Sequence, residues 1–346
     1  MASNQTGSSS IFFALIPHFS LYTAQGTVIS IVNLLICCAI LRAPTLRDKK
    51  EYLILTVLAV SDFLFGLAMV SAGVGRTWMI LSNTAHHLTT NLGCLLKPWG
   101  PMFVWFDHTY GTMLAAVSLD RLLMVSFPLY YMGLTRSYAF ILLGILHLPH
   151  ILIIGGMILV LVGSDLPANK PQLCMGSWIY PSKSYVRFVY TQAMAFSFMS
   201  AVLYLLVVVV YKQKQMSVMP ALGKVGKQLE IARQRQLTVT MGLSCVCTVC
   251  LYIVPLATYQ VITYFYPAQQ ITTILTPIIA ATVNFNPMCN FALYWRRHAD
   301  LRTAIKLLLQ CKPATPVALS QVQNSAHCGG GNQRDQLSPP MELEEI

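Results

Sequence analysis

Charged side chains interrupt otherwise apolar segments of this chain, and they are its first candidates for chemistry. Three carboxylates and one guanidinium are involved: Asp62, Asp107, Asp120 and Arg121. Removing an ionised group from water is costly, so such residues persist where they have a partner, a bound ion or a functional role. Asp62 has two interpretations: a functional carboxylate, or a protonated acid in a structural hydrogen-bond network.

One helical stripe connects two of these groups. It contains residues at successive spacings of 3, 4, 3 and 4: Asp107, Tyr110, Leu114, Val117 and Arg121. This spacing places them on one face of a helix. At a rise of about 1.5 Å per residue, Asp107 and Arg121 lie about 21 Å apart, in opposite halves of a membrane. One interpretation of Arg121 is a functional cation at this end of the helix, and the alternative is an arginine whose charged end extends to the membrane interface.

Aromatic residues lie close to Asp107 in the sequence. Together they predict an aromatic-lined ligand pocket with one counter-ion. The candidate ligand-binding residues are Phe103, Phe106, Asp107, Tyr110 and Tyr259. Alternatively, Asp107 pairs with His108 or with a residue on another helix, and the sequence does not distinguish the two.

The composition indicates which elements position these residues. Hydrophobic residues make up 55% of the chain and charged residues 10%, with a mean hydropathy of +0.59, which excludes a water-soluble enzyme. A membrane-spanning helix needs about 20 apolar residues. Runs of that length are Tyr22–Leu41, Tyr52–Gly75, Pro101–Phe127, Tyr138–Val162, Phe188–Tyr211, Leu237–Ile262 and Ile271–Trp295. They predict an all-α membrane protein, a bundle of seven transmembrane helices.

The net charge of +11 is compatible with a nucleic-acid-binding protein. Whether that interpretation holds depends on where the basic residues lie in the chain. Eighteen of the 23 lysines and arginines fall in alternate loops and in the C-terminal tail, which share one side of the membrane. Because Lys and Arg resist translocation, that side is cytoplasmic. The charge therefore predicts an extracellular N-terminus and a cytoplasmic C-terminus, and no nucleic-acid partner.

The chain divides into four regions. Residues 1–20 are an extracellular tail with a glycosylation sequon at Asn4, and residues 21–295 are the bundle. Residues 296–312 form an amphipathic helix, and residues 313–346 have the composition of a disordered cytoplasmic tail.

The amphipathic pattern after the seventh span comes from three apolar residues. Leu301, Ile305 and Leu308 share one helical face, as expected of a helix that lies in the membrane interface. The alternative is an ordinary basic flank that ends the seventh span.

Motifs for catalysis or metal binding do not occur in the sequence. There is no Walker loop, HExxH motif or hydrolase elbow, and the CVCTVC run of the sixth span has no partnering histidine for zinc. A transporter or channel is an alternative class. It predicts repeat symmetry and several charges along a path, whereas the ionisable residues here are concentrated in the second and third spans.

Several local sequences resemble one family. The second span reads LAVSDFLFG, the third ends in SLDRLLMVSFPLYY, the sixth contains Pro255, and the seventh reads NFNPMCNFALYWRR. Together they are similar to the rhodopsin-like G-protein-coupled receptors, and the similarity extends from about Gly26 to Cys311. Within that family, the segments KEYLILTVLAVSDFLFGLAMVSAGVGR and CLLKPW look most like nematode-type serpentine chemoreceptors and their orphan relatives.

The resemblance implies activation roles for particular residues. Asp120 and Arg121 match the start of the family's DRY motif, in which the arginine holds the resting state and then contacts the G protein. Further activation residues implied by the family are Tyr204, Pro255, Asn286 and Pro287.

The resemblance also implies a bound ion and covalent features. Asp62 matches the family's second-helix aspartate, which with Asn33 and Asn286 implies a sodium and water pocket and no other cofactor. Cys94 and Cys174 match the family's disulfide. An eighth helix followed by a palmitoylated cysteine is also implied, and Cys311 is the candidate.

The chain departs from the family at positions that affect activation. Asn290 replaces the tyrosine that ends NPxxY, and Ile253 replaces the tryptophan of CWxP. The expected function is a plasma-membrane receptor that binds an extracellular ligand, chemosensory or neuropeptide, and activates a heterotrimeric G protein. The alternatives are a receptor-fold protein that does not signal and a membrane transporter.

Overall fold

The computed structural model describes residues 12–164, 167–218, 243, 246–265 and 270–312. Long helices dominate this part of the chain. They are α1 (Ile16–Arg42), α2 (Lys50–Leu81), α3 (Gly100–Ser126), α4 (Arg136–Gly163), α5 (Lys183–Val218), α6 (Val254–Phe265), α7 (Gln270–Arg297) and α8 (Ala299–Leu309). Each of α1, α2, α4 and α5 is long and apolar enough to cross a bilayer. The predicted all-α membrane fold is confirmed.

Shorter elements connect these helices. They are the helices Pro44–Arg47, Asn91–Leu95 and Pro128–Gly133 and the 3₁₀ turn Gly176–Trp178. Strand β1 (Leu88–Thr89) pairs antiparallel with β2 (Lys170–Pro171), and these are the only strands in the described ranges.

Some predicted boundaries differ from the structure. Helix α1 begins at Ile16, inside the predicted tail, because Pro17 in its first turn is well suited to starting a helix. The predicted sixth span, Leu237–Ile262, lies partly outside the described residues. Asn4 and the predicted tail of residues 313–346 lie wholly outside them.

Glycines bring α1 and α2 into close contact. A Cβ atom added to Gly66 would lie 2.7 Å from the amide nitrogen of Ser30 and 2.8 Å from the carbonyl oxygen of Gly26. Both atoms belong to the α1 backbone and cannot rotate away. The close approach of the two helices therefore requires a residue without a side chain at position 66.

Polar side chains fix α3 in the centre of the bundle. The hydroxyls of Ser118 and Ser200 lie 2.6 Å apart and join α3 to α5. The Thr112 hydroxyl lies 2.7 Å from His150 Nε2, and the Gln192 amide donates to His150 Nδ1 at 3.2 Å. Because Nδ1 accepts from Gln192, the His150 proton is on Nε2, directed at Thr112. This network links α3, α4 and α5.

A disulfide closes one end of the bundle, which we call the disulfide end. It joins Cys94, before α3, to Cys174 in the α4–α5 loop, as the sequence resemblance implied. Arg76 of α2, only 2% exposed, donates from Nε to the Leu173 carbonyl at 2.8 Å and from Nη2 to the Cys174 carbonyl at 2.7 Å. The disulfide and Arg76 together attach this loop to α2 and α3.

Helix α8 covers the opposite end, which we call the Arg121 end. Leu301 and Ile305 are 0% and 1% exposed and pack against the ends of α1 and α2. The sequence predicted that this apolar face lies in the membrane interface, whereas much of it is covered by protein. The Tyr52 hydroxyl also lies 3.5 Å from His298 Nδ1, just before α8.

A turn of π-helix, Val249–Ile253, leads into α6. It ends two residues before Pro255, which has no amide hydrogen to donate to the preceding helical turn. Wide turns of this kind often occur at functional positions of helices. Pro255, an activation residue implied by the family resemblance, thus lies beside an irregular helical segment that no sequence pattern predicted.

Candidate functional site

Asp107 on α3 makes its polar contact with the α4–α5 loop. The Tyr180 hydroxyl donates to Asp107 Oδ2 at 2.8 Å. The His108 ring is not a partner of Asp107: its Nε2 lies 3.4 Å from the Tyr185 hydroxyl. Of the pairings considered from the sequence, neither His108 nor a residue on another membrane helix is the observed partner. A loop tyrosine occupies that position.

The aromatic ligand candidates fall into two groups. Phe103 and Phe106 pack against Phe65 of α2, with ring centroids 6.0 and 3.7 Å apart, as part of the main core. Tyr259 contacts Tyr190 of α5 edge to face at 5.8 Å. The structure therefore brings Phe103 and Phe106 together on the α2 side of α3 and places Tyr259 between α5 and α6.

Further tyrosines lie near Asp107. Tyr190 of α5 and Tyr252 of the π-helical turn both lie within range of an electrostatic interaction with its carboxylate. Tyr252 also contacts Tyr110, with ring centroids 4.8 Å apart. Asp107 is thus the acidic group of a tyrosine-rich region between α3, α5 and α6.

Asp62 lies buried at the middle of α2, 1% exposed. Within the described residues neither of its carboxylate oxygens has a hydrogen-bond partner, and Oδ1 of Asn286 also has none. Asn33 donates to the Ile29 carbonyl of its own helix at 2.9 Å, and Asn286 donates to the Tyr110 hydroxyl. The two asparagine amides therefore donate to groups other than Asp62, and the side-chain oxygen of Asn286 stays unpartnered among the described residues.

Asp120 and Arg121 lie at the end of α3. Arg121 Nε is 3.8 Å from Asp120 Oδ2, and the Tyr131 hydroxyl donates to Asp120 Oδ1 at 2.9 Å. Burial, reinforced by the Asp120 carboxylate, raises the pKa of the Tyr131 phenol above its ordinary value. The hydroxyl therefore stays protonated and donates to the carboxylate, so Asp120 has both a cationic and a neutral partner.

Lys50 of α2 positions the helix that carries Tyr131. Its ammonium group donates to the Leu134 carbonyl at 2.8 Å and to the Tyr131 carbonyl, and it lies 4.0 Å from the centre of the Tyr131 ring. Cations favour the carbonyl end of a helix. Lys50, Tyr131 and Asp120 thus form a continuous chain of contacts from α2 to α3.

We expect Lys50→Met to lower the free energy of unfolding by about 2 kcal/mol, because buried carbonyl groups lose their donor. Thermal melting of the purified protein measures this. Lys49→Met is the matched control, since the neighbouring Lys49 ammonium is exposed, in an ion pair with Asp300, and such pairs contribute about 0.5 kcal/mol. Equal destabilisation by the two variants would contradict the positioning role of Lys50.

A crevice opens beside Arg121 between the ends of the helices. Its lining comes from α2, α3, α5 and α7 and from the start of the segment leading into α8. The lining residues are Glu51, Ile54, Leu55, Val117, Asp120, Arg121, Tyr204, Leu293, Tyr294 and His298. The crevice thus combines Asp120, Arg121 and Tyr204 from the predicted activation set.

The remaining activation candidates lie deeper in the bundle. Pro255, Asn286 and Pro287 are buried. Asn290, which replaces the family's tyrosine, is 4% exposed, and its amide nitrogen has no hydrogen-bond partner among the described residues. Position 290 therefore faces the interior without contributing the hydroxyl that the family pattern supplies there.

Sequence reasoning missed Lys50, Arg76, Tyr131 and Tyr180 as site residues. Lys50 and Arg76 were counted only as indicators of topology. A signal for Arg76 was present, because a single arginine at the end of an apolar run needs a partner. The contacts of Tyr131 and Tyr180 join loops to distant helices, and no local pattern indicates them.

Membrane-length helices, a buried central carboxylate and an Asp–Arg pair beside a crevice together characterise a helical membrane protein with charged groups inside its bundle. A family model described as 7 transmembrane receptor (rhodopsin family) matches residues 32–294, and the chain belongs to that family. It is therefore a multi-pass membrane protein of a family of receptors rather than enzymes. No individual curated protein matches the chain, so the similarity to nematode-type chemoreceptors stays a prediction.

Proposed function

We propose that this receptor binds an extracellular ligand at its disulfide end and activates a heterotrimeric G protein at its Arg121 end. The observation that carries the proposal is the crevice that contains Arg121, with Asp120 and Tyr204 in the same lining. A cation held loosely by its neighbouring carboxylate, at 3.8 Å, is available to a docking partner. The family membership supports a G protein as that partner.

The orientation belongs to the same proposal. The distribution of basic residues supports an extracellular disulfide end and a cytoplasmic Arg121 end. With this orientation Asn4 is available for glycosylation on the outer side. The exposed Cys311, which follows α8, then lies on the cytoplasmic side, where palmitoylation occurs.

The ligand we propose carries a cationic group. Asp107 has no cation within ion-pair distance among the described residues, and its surroundings are rich in tyrosine. Aromatic side chains around a carboxylate favour an ammonium or guanidinium group. Small chemosensory amines and basic neuropeptides both satisfy this chemistry.

The test is a ligand screen in cells that express the receptor at their surface, with dissociation sensors for each class of G protein. We expect at least one cationic ligand to produce a saturable response. Ligand-driven flux without G-protein recruitment would instead support a transporter.

The unpartnered Asn290 amide favours a second candidate function, a receptor-fold protein that does not signal. Binding of a ligand without any G-protein response would support this candidate.

We also propose that sodium binds at Asp62. The unpartnered carboxylate oxygens of Asp62 and the unpartnered amide oxygen of Asn286 are ligands of the type that hard cations such as sodium prefer. We expect replacement of sodium by N-methylglucamine to raise agonist affinity several-fold in the wild-type receptor and to have no effect in Asp62→Asn. Asp48→Asn, which alters an exposed ion pair with Arg136, is the control and should retain the sodium effect. A sodium effect that persists in Asp62→Asn would contradict the site.

A further inference from the structure

We propose that Tyr180 is a built-in occupant of the Asp107 site, which a cationic ligand must displace in order to bind. This inference rests on the proposed ligand site. Its basis is the hydrogen bond of 2.8 Å from the Tyr180 hydroxyl to Asp107 Oδ2. Tyr180 belongs to the α4–α5 loop, yet it is only 2% exposed. The loop therefore enters the bundle and places a phenol on the carboxylate.

Asn91 holds the backbone of the loop at Tyr180. Its side-chain amide donates to the Trp178 carbonyl at 2.9 Å and to the Tyr180 carbonyl at 2.6 Å. Asn91 is itself 5% exposed, so these bonds are shielded from water. The backbone around Tyr180 is fixed, and the ligand displaces the side chain rather than the whole loop.

The other end of this loop segment is fixed as well. Cys174 is bonded to Cys94, and its carbonyl accepts from Arg76 at 2.7 Å. The segment between Cys174 and Tyr180 is therefore held at both ends. A tyrosine presented from such a segment loses little conformational entropy when it contacts Asp107, which favours occupancy of the site in the absence of ligand.

The Tyr180 ring packs against neighbours that remain when its hydroxyl is removed. Tyr185 stacks on it at 5.6 Å with an interplanar angle of 29°, and His108 contacts it edge to face at 6.3 Å. Tyr180→Phe therefore keeps the packing of the loop and removes only the hydrogen bond. Tyr185→Phe is a matched control, because the Tyr185 hydroxyl lies near His108 and not Asp107.

The chemistry of the contact selects the ligand. A phenol is a neutral donor to the Asp107 carboxylate, whereas an ammonium group adds the attraction between opposite charges to its hydrogen bond. A cationic ligand can therefore replace Tyr180 at the carboxylate, and a neutral ligand of the same shape cannot. Tyr180 thus sets the specificity of the site by lowering the affinity for every ligand and excluding the neutral ones.

The probe is benzylammonium, with the neutral benzyl alcohol as its isostere, and the measurement is thermal protection of the purified receptor. We expect Tyr180→Phe to lower the half-effective concentration of benzylammonium at least about tenfold, the value of one hydrogen bond to a charged group. Tyr185→Phe should leave it unchanged. Asp107→Asn should abolish protection by benzylammonium, and benzyl alcohol should not protect the wild-type receptor.

Weaker or unchanged protection of Tyr180→Phe by benzylammonium would overturn the inference, as would no protection at all. A second measurement tests the contact without a ligand: the melting temperatures of Tyr180→Phe, Asp107→Asn and the double variant. The effects of the two substitutions should not be additive, because each removes the same bond. Neither measurement uses a G protein, so a receptor that fails to signal would overturn the proposed function and leave this result intact.

Discussion

Replacing Gly66 with valine is expected to reduce the amount of folded receptor at the cell surface several-fold. The new side chain would meet the backbone of α1, with its first carbon 2.7 Å from the Ser30 nitrogen and 2.8 Å from the Gly26 oxygen. Overpacking of a tight interior costs typically about 1–3 kcal/mol. Backbone atoms cannot move aside as a side chain does, so we expect a loss in the free energy of unfolding of at least about 3 kcal/mol, the upper end of this range. The total stability of a protein is typically about 5–15 kcal/mol.

Surface staining of a tagged receptor and thermal melting of the solubilised protein measure this effect. Gly155→Val on α4 is the matched control, because a Cβ atom there meets nothing within 4 Å. The two variants make the same change in a long membrane helix and differ only in what the side chain meets. Normal expression of Gly66→Val, or an equal loss in both variants, would show that α1 and α2 are not packed as closely as described.

Arg121→Ala is expected to reduce agonist-driven nucleotide exchange on the G protein at least tenfold, while ligand affinity and surface expression stay close to wild type. The guanidinium lies in the crevice lining, and its side chain is 10% exposed. Removing it deletes the cation that the proposed partner contacts, and a tenfold loss corresponds to about 1.4 kcal/mol of coupling free energy. Asp120 keeps its hydrogen bond from Tyr131, so the fold of this region should be retained.

Nucleotide exchange with purified receptor and G protein separates coupling from expression. Arg136→Ala is the control, since Arg136 is an exposed arginine at the same end of the bundle, 3.4 Å from Asp48. It should exchange nucleotide at the wild-type rate. Undiminished exchange in Arg121→Ala would exclude Arg121 from the coupling surface, whereas an equal loss in both variants would indicate a general effect of positive charge.

Several features of this protein could be predicted from short stretches of sequence. Hydrophobic runs of sufficient length indicate membrane helices, because the bilayer imposes both length and apolarity. The spacing from Asp107 to Arg121 indicates one helix face, and α3, Gly100–Ser126, contains both residues. The disulfide between Cys94 and Cys174 was implied by the family resemblance and is present.

Other features could not be predicted, because they depend on which distant residues meet. Tyr180 and Asp107 are separated by 73 positions in the chain, and Lys50 and Tyr131 by 81. A hydrogen bond depends on distances of a few tenths of an ångström, and these are set by how helices and loops pack together. The composition counts Lys50 and Arg76 only as positive charges, whereas the fold makes each of them a donor to loop carbonyls.

The formation of helices and their placement in the bilayer depend on interactions between residues close in sequence and on contacts with lipid. The amino-acid sequence is therefore sufficient to predict seven membrane helices with charged residues inside them. The partners of those charges follow from packing. Gly66 lets α1 approach α2, and the α4–α5 loop is anchored at Arg76 and Asn91. That packing, rather than any local motif, places Tyr180 on Asp107 and Tyr131 on Asp120.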